Sequence, residues 1–144
     1  MNEQSEARLN VRADGDAMDH IRAAIERFGG EYGIAGDDMA RIFIVIEELV
    51  TNMVKYGYGP AAQPGSASIT LRLEGDRLSV EIIDDGREFD PFAAPDPDLE
   101  APLEERRIGG LGLHIVKALM DRTRYRRVGA QNVVEISRRV TLEK

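Results

Sequence analysis

Two alternating stretches, Ser66 to Leu73 and Leu78 to Ile83, are separated only by Glu74-Gly75-Asp76-Arg77. Alternation of this length reads as a strand with one face buried, and a tight glycine turn between two strands reads as a β-hairpin. A hairpin alone is marginal in water, so its apolar face needs further strands or helices against it. The cover lies upstream. Met18, Ile21, Ile25 and Phe28 recur at helical spacing in a helix predicted from Asp16 to Phe28. Asp14 or Asp16 would cap its start, and Gly29-Gly30 would stop it. A second helix is predicted from about Asp37 to Tyr56, with Ile42, Ile46, Leu49 and Met53 as its core stripe and Gly57 at its end.

Glu6 to Ala13 reads as a short first strand. "GGLGLHIVKALMDR" reads as a third helix, and "TRYRRV" and "NVVEISRRV" as two closing strands around Gly129. Asp90 to Gly110 holds four of the six prolines, and a loop of that length is usually functional. The order β, α, α, β, β, long loop, α, β, β predicts an α+β two-layer sandwich: a mixed, mostly antiparallel sheet with helices on one face. A length of 144 residues fits one domain, 1–144.

Composition narrows the chemistry. The chain has no cysteine, which excludes disulfides, thiolate metal sites and a cysteine nucleophile. No apolar run reaches membrane-spanning length, and the N-terminus lacks a signal-peptide pattern. A cytoplasmic protein with no membrane role is the expectation. A net charge of −7 argues against nucleic acid as the main partner. "RTRYRR" is read instead as a polar edge strand whose charges block edge pairing.

Three further features could carry chemistry. Glu48 and Asn52 share a helix face at i and i+4. On spacing alone this is a solvent stripe; read as a site, Asn52 offers an oxygen to a hard cation and Glu48 a general base. Asp84 ends a buried strand and Gly86 follows it. The pair marks a β-turn, or a carboxylate facing a ligand's amino group with room beside it. Gly109, Gly110 and Gly112 precede a helix, as the start of a packed helix or as a phosphate cradle at its N-terminus.

In this order, with "EELVTN" and "GGLGLHIV", these features resemble the GHKL ATPase superfamily. The compact length looks most like the bacterial anti-sigma-factor serine/threonine kinases of partner-switching pathways. The resemblance implies a Bergerat-type ATP-binding fold with ATP/ADP and Mg²⁺ as cofactors. It implies Glu48 as catalytic base, Asn52 as Mg²⁺ ligand, and Asp84 with Gly86 around the adenine. Gly109, Gly110, Leu111, Gly112 and Leu113 would meet the phosphates, with an ATP lid over about 87–109. Lys55 would approach phosphate, and Arg106 or Arg107 the partner or the γ-phosphate. Glu88 stands where the family often has a second glycine, and Asn132 in "GAQNVV" stands for the usual Gly-Thr threonine. The implied substrate is a STAS-domain antagonist, with a sigma factor or other regulator as a second partner and a homodimer as the assembly. The competing function is a nucleotide-gated binding module with little kinase activity.

Overall fold

The computed structural model describes residues 5–12, 17–54, 65–92 and 115–143. Its named elements are β1 (Ser5–Arg12), α1 (Ala17–Tyr32), α2 (Gly36–Asn52), β2 (Ser66–Glu74), β3 (Arg77–Asp84), β4 (Arg122–Val128) and β5 (Gln131–Arg139). Residues 115–119 form a short helical stretch before β4. The strands make one sheet in the order β1-β2-β3-β5-β4, and every described ladder is antiparallel. The mixed component of the expected sheet is thus not found among the described strands.

The expected hairpin is present: Glu74 pairs with Arg77 across Gly75-Asp76. Gly75 has φ +62° while no described non-glycine residue has positive φ, the pattern of a turn with glycine at its first central position. Gly129, at φ +59°, makes the same kind of turn between β4 and β5.

One sheet face is apolar. Leu9, Ile69, Ile82 and Val134 line up across four strands, as do Leu71, Val80 and Ile136 across three. Ile21, Ile25 and Phe28 of α1, and Ile42, Val45, Ile46 and Leu49 of α2, join them in one core with Val116 and Met120. The opposite face carries Arg8, Thr70, Ser79, Glu81, Arg124 and Arg126, none of them in that core. Period-two alternation in the strands and period-3.6 stripes in the helices therefore produce the two layers.

The α1 terminus departs from expectation. Gly29-Gly30 does not stop the helix, which runs on to Tyr32. Gly33 ends it at φ +69°, and the Ile34 N–H bonds the Gly29 carbonyl at 3.0 Å, closing a Schellman turn. Gly29 serves packing instead: a Cβ there would fall 2.8 Å from Cγ of Met39 in α2. Gly33 also approaches the C-terminal segment, whose Glu143 N–H bonds the Gly33 carbonyl at 2.6 Å. Gly33→Ala should cost about 1–3 kcal/mol through left-handed strain and contact with the Glu143 carbonyl. Gly30→Ala, in open space on the helix, should instead gain about 0.5–1 kcal/mol. Urea unfolding of the two variants checks both signs.

Among the described residues, no helix is long and apolar enough to cross a membrane.

Candidate functional site

Helix α2 carries its polar pair at its C-terminal end. Asn52 is buried on the stripe that includes Val45 and Leu49, while Glu48 is half-buried beside it. The Asn52 Nδ2 donates to Glu48 Oε1 at 3.0 Å. A carboxylate only accepts, so the amide nitrogen must face Glu48 and Oδ1 must point away from it. That bond uses neither the Asn52 amide oxygen nor the second Glu48 carboxylate oxygen.

Strand β3 carries the second feature. Its alternation buries Leu78, Val80 and Ile82 on the helix side, and two residues further on Asp84 follows the same rule at 5% exposure. Asp84 Oδ1 accepts the Gly86 N–H at 2.9 Å and the Asn132 Nδ2 at 3.0 Å. Among the described residues, no donor is found on its Oδ2. Asn132 sits opposite Asp84 in the β3–β5 register.

A part-buried ion pair joins α2 to β5. Asp38, in the first turn of α2, accepts Arg138 of β5 through Nε and Nη2, each at 3.2 Å. Its Oδ2 accepts the Thr141 N–H at 2.7 Å. From Asp38 to Asn52 the helix rises about 21 Å. From Arg138 back to Asn132 the strand covers about 20 Å. The buried residues of α2, from Asp38 to Asn52, belong to the layer that covers the sheet. A helix and a strand of such matched length, joined at one end by Asp38 and Arg138, would carry Glu48 and Asn52 toward the sheet end that holds Asp84 and Asn132.

The segment after β3 is tied down as well. Asn132 Nδ2 donates to the Arg87 carbonyl at 2.8 Å, and Arg127 Nη1 donates to the Gly86 carbonyl at 2.8 Å. Tyr125 OH donates to Asn132 Oδ1 at 2.6 Å. Burial first, and then the negative charge of Glu88, raise the Tyr125 pKa above its ordinary value, so the phenol stays a donor.

Several expected site residues lie outside the described residues: Lys55, Arg106, Arg107, Gly109, Gly110, Leu111, Gly112 and Leu113. Of the expected lid over about 87–109, only the part up to Phe92 is described. "RTRYRR" is indeed an edge strand, β4. What the sequence reading passed over is its other face. Thr123, Tyr125 and Arg127 alternate with the exposed arginines and turn inward, a period-two signal present in the residues themselves. Asp38 and Arg138 were also passed over, being far apart in the chain. Among the described residues, no group of three or more His, Cys, Asp or Glu side chains could hold a metal unaided.

Comparison with known proteins gives a consistent picture. A family profile for the histidine kinase-like ATPase domain matches residues 11–138. The serine-protein kinase RsbW of Staphylococcus epidermidis is 30% identical over 118 residues, covering 78% of this chain and 74% of that protein. RsbW of Halalkalibacterium halodurans is 27% identical over 118 residues, covering 79% and 71%. Among solved structures, the RsbU and RsbW domains of Rv1364c from Mycobacterium tuberculosis superpose with a TM-score of 0.67 at 21% identity. That match covers 94% of this chain and 32% of the solved one, and at such identity it speaks to the fold alone.

Proposed function

This chain belongs to the histidine kinase-like ATPase domain family, and from that premise we propose that it is an ATP- and Mg²⁺-dependent protein serine/threonine kinase of a partner-switching pathway. Its substrate would be a hydroxyl on a STAS-fold antagonist. The same chain would sequester a sigma factor or comparable regulator, and a homodimer is the proposed assembly. What supports the reading is a Glu48–Asn52 pair bonded to each other at the end of α2, beside a buried Asp84 held at the end of β3.

The described residues fit the cofactors. Asn52 Oδ1, turned away from Glu48, is a single hard oxygen ligand, which suits Mg²⁺ because that ion keeps several waters. When bound, Mg²⁺ offsets charge on the phosphate oxygens during transfer. Asp84 Oδ2 would accept the 6-amino group of adenine, and the buried Gly86 leaves the backbone approachable there. Glu48 would take the proton of the attacking partner hydroxyl as its oxygen bonds to the γ-phosphorus. Bonding at phosphorus would break the bridge to ADP, leaving the proton on Glu48 for later release to water.

The deciding experiment combines the purified chain, Mg²⁺, γ-labelled ATP and a STAS-fold antagonist encoded in the same genome. Label should reach the antagonist, and chelating the Mg²⁺ should stop it. In calorimetry, Asp84→Asn should weaken ATP about tenfold or more, because the open oxygen loses its charge. ATP binding without transfer would favour the nucleotide-gated binding module. No ATP binding at all would end the reading.

A further inference from the structure

Asn132 has no hydrogen-bonding capacity left for a ligand. Its two amide hydrogens go to Asp84 Oδ1 at 3.0 Å and the Arg87 carbonyl at 2.8 Å. Its Oδ1 accepts from Tyr125 OH at 2.6 Å, Arg127 Nη1 at 3.1 Å and the Phe89 N–H at 3.3 Å. A carboxamide offers two hydrogens and two lone pairs, so this one is full. It is also only 2% exposed. The expectation that Asn132 itself touches nucleotide therefore gives way to a role behind Asp84.

The chemistry of the neighbours sets the orientation of that amide. A guanidinium only donates and an ionised carboxylate only accepts. Asn132 must therefore turn its oxygen toward Arg127 and its nitrogen toward Asp84. With that nitrogen and the Gly86 N–H both on Oδ1, the carboxylate is held through that oxygen, and Oδ2 has no donor among the described residues. Arg127 acts twice, because the same Nη1 holds the Gly86 carbonyl. Both side-chain donors, Tyr125 and Arg127, come from the edge strand β4.

We propose that Tyr125 and Arg127 are specificity-determining positioning residues: through the Asn132 carboxamide they hold Asp84 so that Oδ2 meets the 6-amino group of a purine nucleotide. The proposal rests on the reading of Asp84 as the base contact. The amide bridges Asp84 to β4.

The test is a cycle between protein and ligand. ATP and purine riboside triphosphate, which lacks only the 6-amino group, are titrated into wild type, Tyr125→Phe, Arg127→Met and Arg127→Lys. Arg127→Met should weaken ATP about tenfold and Tyr125→Phe about threefold, since each removes one donor from a buried network ending in a charge. Neither should change the affinity for purine riboside triphosphate by more than about twofold, because the network acts only through the 6-amino contact. Arg127→Lys should recover part of the ATP affinity. Equal losses on both nucleotides would overturn the proposal, since a structural role or a direct base contact by Asn132 predicts them. Tyr125→Phe removes a single hydroxyl, and it keeps the test decisive if Arg127→Met unfolds. A wild-type chain that binds neither nucleotide would overturn the nucleotide reading, and this proposal with it. That failure is distinct from a wild type that prefers ATP with variants that lose both ligands alike.

Discussion

Glu48→Gln should slow transfer of the γ-phosphate to the protein substrate by about 10²–10⁴-fold, the usual contribution of a positioned general base. ATP affinity should stay within about threefold, since a base adds little to ground-state binding. The geometry makes this a clean substitution. Glutamine keeps the length of glutamate, and its amide oxygen can still accept the Asn52 Nδ2 that now bonds Glu48 Oε1 at 3.0 Å. Asn52 would thus keep its orientation and its outward Oδ1. Glutamate and glutamine have similar helix propensities, so α2 should hold its stability. What is lost is the ability to take up a proton. Single-turnover assays with labelled ATP, beside calorimetry, separate the two effects. Transfer at wild-type rate would remove Glu48 from the chemistry. A parallel loss of affinity would instead make it a binding residue.

The sequence exposed those features whose cause is local. Alternation in β2 and β3, the Gly75 turn and the apolar stripes of α1 and α2 are all short-range patterns, and the structure reproduces them. Glu48 and Asn52 were legible as a pair because one helical turn separates them. Gly29-Gly30 misled because glycine signals either a stop or a close approach. Only the packing of Met39 against α1 distinguishes the two. The surroundings of Asp84 were not legible either. Asn132, Tyr125 and Arg127 meet it only through the β3–β5 and β4–β5 registers, and register is a property of the sheet, not of a segment. The ion pair between Asp38 and Arg138, a hundred residues apart, is the extreme case.

That ion pair underlies the largest expected effect on stability. Asp38→Ala should lower the free energy of unfolding by about 3 kcal/mol, the low end of the range for removing one partner of a buried pair, because Arg138 keeps some exposure. The Asp38 side chain is 8% exposed and that of Arg138 22%. Among the described residues, deletion of the carboxylate would leave the guanidinium with only the Leu119 carbonyl, at 2.6 Å, to meet it. It would also strand the Thr141 N–H, which now donates to Oδ2 at 2.7 Å. Asp38→Asn should cost less, because one amide oxygen can still serve Thr141 or Arg138 but not both with a charge. A surface pair provides the scale: Arg126→Ala, which breaks a contact with Glu135 at 2.9 Å on the solvent face, should cost no more than about 1 kcal/mol. Urea unfolding without nucleotide gives all three values. The consequence for function follows from position. Were Asp38 to set where α2 begins relative to β5, it would also set where Glu48 and Asn52 arrive at the far end. In Asp38→Asn the folded fraction should therefore bind ATP more weakly than wild type, although the substitution lies about 21 Å along the helix from Asn52. Unchanged affinity in that variant would show that core packing alone sets the register of α2, and that the ion pair contributes stability without alignment.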